Sequence, residues 1–275
     1  GSGREWDLLR KNGGLSIFPP YAEKNMKVYS GRVEALESIL PYLKSKKEKY
    51  VIMMDANIAV DFDFNAMLAE HIESGADVTV AYTEQEIPAE LIRAGSHGDM
   101  YYTLKLDDGR VRRIFMNSEM CGKQNLSMNI YIMDREALID KIHAAFVRGS
   151  SCFERDILAP RLEKYNIRGY KYDGYYARIC GLKSYFDENM KLLDDENLDA
   201  LFTGGQIYTK IRDDNPTRYI NGCKTKNNLV ADGCVIEGDV ENCVLFRGVK
   251  IAKGAKIRNS VLMQDTVVNA GARLD

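Results

Sequence analysis

The segment Lys49–Asn57 joins a short apolar run to two polar side chains that could hold a metal ion or a substrate hydroxyl. Tyr50–Met54 has the length and composition of a β-strand, and the run stops at Asp55 and Asn57. In parallel α/β sheets, ligands bind beyond the carboxyl ends of the strands. Asp55 and Asn57 are therefore the first candidate site residues, although Asp and Asn also serve simply to turn a chain after a strand.

The elements around this run alternate between helix and strand. Apolar residues at helical spacing follow Gly31, and Pro41 is expected to bend or break that helix. A second helical stripe ends at Gly75 and is followed by the β-branched run Val78–Tyr82. This order predicts an α/β domain built on βαβ units.

One hairpin interrupts the βαβ order. Tyr101–Leu106 and Val111–Met116 flank Asp107-Asp108-Gly109, and Asp-Gly suits the turn conformations that short hairpins require. Because a hairpin brings antiparallel strands into the sheet, the sequence predicts a mixed sheet.

The chain from Asn221 onward has a different hydrophobic pattern. Branched aliphatic residues recur there in six-residue steps, with glycines in the intervals. The positions are Val230 and Ile236, then Leu245, Ile251 and Ile257, then Leu262, Val268 and Leu274. This period predicts a parallel β-helix in which three hexads make one triangular coil, although steps of nine and five residues interrupt it.

The composition favours small-molecule or protein partners. The chain has 38 Lys and Arg against 40 Asp and Glu, a formal charge of -2, and no basic stripe of the kind that binds nucleic acid. No apolar stretch approaches the length of a membrane span, and the six cysteines include no C-x-x-C pair. We therefore expect a cytoplasmic protein with reduced thiols, no structural zinc site, and neither nucleic-acid nor membrane partners.

Seven short segments along nearly the whole chain match one known family in order and spacing. They are Trp6-Asp7-Leu8, Gly14–Tyr21, Tyr50–Asn57, Ser127–Tyr131, Phe153–Ile157, Tyr185–Met190 and Val244–Phe246. In these the chain resembles the ADP-glucose pyrophosphorylase (glucose-1-phosphate adenylyltransferase) family. It is most similar to the regulatory, D-type subunit of glycogen biosynthesis in Gram-positive bacteria.

The resemblance implies an α/β fold in two parts. A nucleotide-diphospho-sugar transferase domain with a Rossmann-like mixed sheet is expected over residues 1–195, a linker over 196–221, and a left-handed parallel β-helix of hexapeptide repeats over 222–275. The family's glycine-rich phosphate loop opens the fold before the first helix, and it is absent from this sequence, which begins at Gly1 without Met. We therefore expect an N-terminally truncated domain.

The family holds a divalent metal, Mg²⁺, with two acids, and both acid positions are altered here. Its Gly-Asp-His segment falls on Ala56-Asn57-Ile58, so Asn57 replaces the first acid and Asp55 remains as a candidate metal ligand. Its Tyr-Trp-Arg-Asp-Val-Gly-Thr segment falls on Tyr175–Gly181, which puts Arg178 at the second acid. A cation cannot ligate Mg²⁺, and its charge repels the ion. The expectation is a broken metal pair in which Arg178 bonds to Asp55 or Asn57.

Four residues carry over as substrate-binding candidates from the sugar-phosphate side. Ser127 and Met128 keep the family's Ser-Met-Gly strand, but Asn129 stands at the glycine. The family's Phe-Gly-Lys-Asp segment is Phe153-Glu154-Arg155-Asp156 here, so Arg155 keeps a positive charge and Asp156 is retained. The alternative for Arg155 is a solvated helix position beside its acidic neighbours.

A fifth candidate, Gly31, lies in the segment that binds the base in the family. The family's Gly-Thr-Ala-Asp-Ala is Gly31–Ala35 here, and Gly31 still allows close backbone approach. Arg32 replaces the threonine. Its side chain could bind an anionic effector, or it could fill the nucleotide site with its own charge.

These departures on a retained scaffold favour a regulatory or non-catalytic subunit of bacterial ADP-glucose pyrophosphorylase, which makes ADP-glucose and diphosphate from ATP and glucose 1-phosphate. The expected partners are a catalytic homologue or further copies of the chain, with sugar-phosphate or nucleotide ligands. One alternative is an active glucose-1-phosphate adenylyltransferase whose metal is held by Asp55 and substrate phosphates. A second is a hexapeptide-repeat acyltransferase, which would need a catalytic histidine that the sequence from Asn221 onward does not contain.

Overall fold

The computed structural model describes residues 14–19, 29–96, 100–118, 120–204 and 213–275. These residues form two compact units. The first comprises the residues up to Ala56 together with Phe62–Asp173, and the second comprises Asn57–Asp61 together with Gly174–Asp275. Each unit has its own hydrophobic core.

A six-stranded mixed sheet forms the centre of the first unit. Strands β1 to β8 of the chain span Tyr50–Met53, Ile58–Val60, Val78–Glu86, Tyr102–Asp107, Arg110–Met116, Lys123–Asp134, Ile167–Lys171 and Tyr176–Arg178. The strand order in the sheet is β1-β6-β3-β7-β5-β4. Strands β3 and β7 are parallel, whereas β6 is antiparallel to both β1 and β3. The mixed sheet predicted from the sequence is confirmed.

Five helices of the first unit accompany this sheet among the described residues. They span Arg32–Ser38, Leu40–Ser45, Phe64–Glu73, Ala89–Ser96 and Arg135–Val147. The last of them is capped by Asp134, whose carboxylate accepts from the amides of Glu136 and Ala137 at 2.9 and 3.0 Å. Its buried face supplies Leu138 and Ile142 to the core. Each such aliphatic side chain contributes about 1.5–3 kcal/mol when it is fully buried.

The predicted hairpin is present with a two-residue turn. Strands β4 and β5 are antiparallel, and Asp107 pairs with Arg110. Asp108 and Gly109 between them have φ of 48° and 70°. Positive φ at both central residues is what a type I′ turn requires, and this explains why Asp-Gly stands there.

Two predicted helices are interrupted close to their prolines. The first breaks at Ile39, and Pro41 lies in the first turn of the following helix, where its missing N–H is not needed. The stretch after Phe153 forms a π-helical turn, Glu154–Leu158, and continues as a 3₁₀ turn, Ala159–Arg161, that contains Pro160. Glu154, the first residue of the π turn, is buried.

A parallel β-solenoid makes up most of the second unit. Strands β9 to β16 span Arg218–Tyr219, Lys224–Val230, Val235–Ile236, Asp239–Leu245, Lys250–Ile251, Lys256–Leu262, Val267–Val268 and Arg273–Leu274. The even-numbered strands form one parallel sheet and the odd-numbered strands another. The predicted solenoid of hexapeptide repeats is confirmed, and its geometry is consistent with a left-handed β-helix.

The coils of the solenoid differ in length. Lys224 and its partner Asp239 are 15 residues apart, whereas Asp239 and its partner Lys256 are 17 apart. The shorter coil turns tightly at Gly238, where a Cβ atom would lie 2.5 Å from the carbonyl oxygen of Ala255. A side chain cannot be accommodated against main chain at that distance, so the two-residue shortening depends on glycine.

The solenoid core explains the irregular aliphatic period. Val240 is buried between Ile236 and Leu245, and it fills the position that the nine-residue step leaves open. Cys234 and Cys243 are also buried in this core. Small thiols and valines thus complete the interior where the sequence period fails.

Asparagines form a ladder along one corner of the solenoid. Asn227, Asn242 and Asn259 have φ of 51°, 53° and 45°. The Nδ2 atom of Asn227 donates to Oδ1 of Asn242 at 2.9 Å, and Asn242 donates to Asn259 at 3.4 Å. Asparagine tolerates the left-handed conformation better than other residues with a side chain, so it can turn this corner in each coil.

The two units differ from the domain bounds that the sequence predicts. Residues 174–195, predicted as part of the α/β domain, group with the solenoid, and so does Asn57–Asp61. Trp6-Asp7-Leu8, the end of the segment Gly14–Tyr21, and residues 205–212 of the predicted linker lie outside the described residues. Within the described ranges, no helix has both the length and the apolarity needed to cross a bilayer.

Candidate functional site

Asp55 lies just beyond the carboxyl end of β1, where the sequence predicts it. Met53 at that end pairs with Tyr131 on β6, so Asn129 on the same strand faces the residues that follow β1. The Nδ2 atom of Asn129 donates to Oδ2 of Asp55 at 2.6 Å. One carboxylate oxygen of Asp55 is therefore held by the neighbouring strand.

Arg32 occupies the other side of this carboxylate. Its Nη2 atom donates to Oδ1 of Asp55 at 2.5 Å, and its Nη1 atom donates to Oε1 of Glu154. The guanidinium carbon lies 5.3 Å from the centre of the Tyr131 ring. Arg32 thus joins two carboxylates across an aromatic face, an arrangement that suits its planar, forked donor group.

Glu154 is the more deeply buried of the two carboxylates that Arg32 joins, with a side chain only 5% exposed against 23% for Asp55. The hydroxyl of Tyr131 donates to its Oε1 at 2.9 Å, and the thiol of Cys152 donates to its Oε2 at 3.6 Å. The thiol also contacts the hydroxyl of Tyr102 at 3.1 Å. A buried carboxylate is stable only when it is paired and hydrogen-bonded, and these groups meet both conditions.

The electrostatics of the cluster keep Arg32 charged and the phenols neutral. Burial acts against the guanidinium charge, but Tyr131, Glu154 and Asp55 outweigh it and raise the pKa of Arg32. Burial first, and then the Glu154 carboxylate, raises the pKa of Tyr131 and of Tyr102. Both hydroxyls therefore remain protonated, and Tyr131 can serve as a hydrogen-bond donor.

Asn129 has a backbone conformation that few side chains accept. Its φ is 56°, at an irregularity where Val80 and Tyr82 of β3 pair with Tyr131 and Ser127 of β6. Two extra residues of β6 therefore project from the ladder, and the left-handed turn at Asn129 absorbs them. This explains why a glycine position of the family can be taken by asparagine, and it brings the amide to Asp55.

Three other predicted substrate-binding residues make contacts that pack the fold. Ser127 is buried and its hydroxyl accepts from the amide of Asn129 at 3.2 Å, while Met128 is fully buried in the sheet. Gly31 has extended backbone, and a Cβ atom there would lie 2.3 Å from the carbonyl oxygen of Ser151. Ser127, Met128 and Gly31 thus have packing roles, and their binding of substrate stays a prediction.

Arg155 and Asp156 form a separate pair at the surface. The Nε and Nη2 atoms of Arg155 donate to the two carboxylate oxygens of Asp156 at 2.6 and 3.0 Å. Asp156 also accepts from the amides of Ser151 and Cys152 at 3.1 and 3.0 Å. The hydrogen bond from Arg155, more than any other contact, lowers the pKa of Asp156 to about 2. Asp156 therefore organises its own loop.

Asn57 and Arg178, the two replaced acid positions, lie on neighbouring strands of the second unit. Ile58 pairs with Arg178 in the antiparallel ladder of β2 and β8. Asn57 bonds to Ile179 twice, through a side-chain donation of 2.9 Å and a main-chain bond of 2.8 Å. Asn57 and Arg178 are thus one register step apart, while the bond expected from Arg178 to Asp55 or Asn57 stays a prediction.

Comparison with known proteins decides the family. A family model described as GlmU-like, C-terminal hexapeptide matches residues 212–275. Over 270 residues, the chain is 33% identical to the glucose-1-phosphate adenylyltransferase of Bacillus mycoides (strain KBAB4), covering 96% of this chain and 69% of that protein. The chain belongs to the glucose-1-phosphate adenylyltransferase family. Members from Bacillus cereus (strain ATCC 10987 / NRS 248) and Bacillus anthracis are each 32% identical with the same coverage.

Three departures from the family pattern meet at the end of β1. In the resemblance described above, glucose-1-phosphate adenylyltransferases have threonine at the position of Arg32 and glycine at the positions of Asn129 and Glu154. Here Arg32 and Asn129 both bond to Asp55, and Arg32 also bonds to Glu154. Arg32 and Glu154 carry opposite charges, so each change supplies the partner that the other needs.

The residues at this edge do not fit a Mg²⁺ ion. Both carboxylate oxygens of Asp55 are engaged, one by Arg32 and one by Asn129, and the guanidinium charge would repel a metal. Among the residues that the structure describes, no three His, Cys, Asp or Glu side chains are grouped so that they could hold a metal ion.

Glu154 and Tyr131 were not predicted as members of the site. From the sequence, Glu154 resembles an ordinary exposed helix residue between Phe153 and Arg155, whereas in the structure it is buried at the start of a π turn. The available signal was the pair of opposite charges at positions 32 and 154, where the family has small or neutral residues.

Proposed function

We propose that this chain is a regulatory, non-catalytic subunit of ADP-glucose pyrophosphorylase in bacterial glycogen biosynthesis. It assembles in the cytoplasm with a catalytic homologue, which makes ADP-glucose and diphosphate from ATP and glucose 1-phosphate. In that assembly it changes the affinity of the homologue for substrates and effectors.

The observation that carries this proposal is the ion pair of Arg32 with Asp55 and Glu154. Nucleotidyl transfer depends on metal and basic groups aimed at the phosphates, which neutralise charge as it develops. At this edge the chain instead neutralises its own carboxylates, and the donors of Arg32 are directed into the protein. A phosphate or a metal would have to displace a buried, hydrogen-bonded network before it could bind.

Two further substitutions support the same proposal. Asn57 donates its side-chain amide to Ile179 and Arg178 carries a positive charge, so neither acid position offers a carboxylate. The scaffold around them is retained, because β2 and β8 pair in regular antiparallel register. A scaffold that folds regularly while its metal-binding carboxylates are replaced is expected of a subunit that acts through assembly and not through catalysis.

An assay of ADP-glucose formation tests the proposal. The purified full-length protein is assayed alone, and then with a catalytic homologue, over a range of ATP and glucose 1-phosphate concentrations. We expect no turnover by the protein alone and a change in the substrate saturation of the homologue when both are present. Robust ADP-glucose formation by the protein alone would overturn the proposal.

The alternative of an active adenylyltransferase is favoured by the relatives, which are named for that activity. Replacing Asn57→Asp and Arg178→Asp together discriminates between the two functions. A remnant site gains turnover when its acids return. An enzyme that already works with this site changes little or loses activity.

A further inference from the structure

The cluster of Arg32, Asp55 and Glu154 opens to solvent on one side. The side chains of Arg32 and Asp55 are 22% and 23% exposed, whereas that of Glu154 is 5% exposed. The guanidinium therefore lies between a deep carboxylate and a shallow one. A small ion arriving from solvent would meet Asp55 first and Glu154 behind it.

The two carboxylates are held in place independently of Arg32. Asn129 fixes Oδ2 of Asp55, while Tyr131 and Cys152 bond to the two oxygens of Glu154. Arg32 reaches them from the first turn of a different element, the helix Arg32–Ser38. Removing the guanidinium would thus leave two oriented carboxylates and a cavity of its size between them.

We infer that Asp55 and Glu154 form a binding site for a small cation and that Arg32 fills this site as a tethered ion. Two carboxylates, one of them buried, are stabilised in the fold by a positive charge placed between them. The covalently attached guanidinium supplies that charge. The wild-type protein therefore needs no dissolved cation here, and the site accepts one only when Arg32 is removed. Carboxylate oxygens suit guanidinium ions and hard divalent ions alike.

Chemical rescue of stability tests this inference. Arg32→Ala leaves Glu154 buried without its counter-charge, and we expect its unfolding midpoint to fall by roughly 6–15 °C relative to wild type. Millimolar guanidinium chloride should recover a substantial part of this loss. Sodium chloride at equal ionic strength should recover much less, because Na⁺ lacks the forked N–H donors that bond to both carboxylates. Magnesium chloride in a third series shows whether a divalent ion enters the same site.

Two matched variants control the experiment. Arg155→Ala removes a guanidinium from a surface pair with Asp156, so it should cost little stability and show no rescue. Arg32→Ala with Glu154→Gln neutralises the buried carboxylate as well, and this double variant should be more stable than Arg32→Ala and insensitive to guanidinium.

Several outcomes would overturn the inference. They are a midpoint for Arg32→Ala no lower than that for Arg155→Ala, equal effects of guanidinium and sodium chloride, or equal rescue when Glu154→Gln is present. If Arg32→Ala does not fold by itself, it is refolded from urea with and without guanidinium, and failure in both cases counts equally against the site. The readout is stability, so the result does not depend on the proposed regulatory role.

Discussion

The guanidinium of Arg32 and the carboxylate of Asp55 are joined by a hydrogen bond of 2.5 Å across 23 residues of sequence. This bond puts a fixed positive charge at a strand end, where polar side chains in α/β folds commonly meet their ligands. An internal ion pair therefore occupies a position where α/β folds commonly bind their ligands.

Replacing Asn129 separates the role of its backbone from that of its amide. Asn129→Ala should destabilise the protein by about 2–4 kcal/mol, because it loses the bond to the Asp55 carboxylate and strains a left-handed residue. Asn129→Gly loses only the bond and should be about 1 kcal/mol more stable than the alanine variant. Urea unfolding measures both values. Equal unfolding free energies for the alanine and glycine variants would contradict the expected backbone strain.

Gly31 should be required for packing even without any ligand. Gly31→Ala brings a Cβ atom to 2.3 Å from the carbonyl oxygen of Ser151, and we expect a loss of about 1–3 kcal/mol. Gly181 is a matched control, because it also precedes a helix with extended backbone but has no atom within 4 Å of a Cβ. Gly181→Ala should be neutral or slightly stabilising in the same thermal unfolding experiment.

The pH dependence of stability should reveal Asp156. Its pKa is lowered from 3.8 to about 2 in the folded state, so the folded protein binds this proton less readily than the unfolded chain does. The carboxylate therefore stabilises the fold above pH 3.8, and this contribution is lost as the pH falls through about 2. The difference in unfolding free energy between wild type and Asp156→Asn should be constant near neutral pH and shrink in acid. A difference that grows in acid would show the opposite linkage.

Returning acids to the second unit should create a metal-sensitive protein. Asn57→Asp with Arg178→Asp adds two carboxylates to the β2–β8 ladder and removes the side-chain donation from Asn57 to Ile179, so we expect a lower unfolding midpoint in the absence of metal. Millimolar Mg²⁺ should raise that midpoint, because ligand binding to the folded state adds to stability. Asn57→Asp alone is the control. It loses the donation to Ile179, about 1 kcal/mol, and should respond to Mg²⁺ less strongly.

Local sequence signals predicted the elements that depend on local physics. The Asp108-Gly109 turn, the helix break close to Pro41 and the solenoid follow from backbone preferences or from a repeated pattern, and each is found. The position of Asp55 at the end of β1 also follows, because a strand that stops at a carboxylate places that group at the sheet edge.

The partners of Asp55 could not be predicted in the same way. Glu154 meets Arg32 across 122 residues, and it lies at the start of a π turn, an element that has no simple sequence signature. The asparagine ladder was not predicted either. Asn227, Asn242 and Asn259 recur in steps of 15 and 17 residues, whereas the aliphatic residues recur in steps of six. Contacts between distant segments are decided by packing, and a single sequence does not show which distant residues meet.

The different depths of Arg32 and Glu154 give their substitutions a preferred historical order. A chain with Arg32 and the family's glycine at position 154 would still bond its partly exposed guanidinium to Asp55. A chain with Glu154 and threonine at position 32 would bury a carboxylate with no cation to meet it. The route through the Arg32 intermediate therefore keeps every buried charge paired. The route through the Glu154 intermediate would destabilise the fold. Once both are present, losing the arginine first would again leave the buried carboxylate without its cation, so the fold favours loss of the glutamate first.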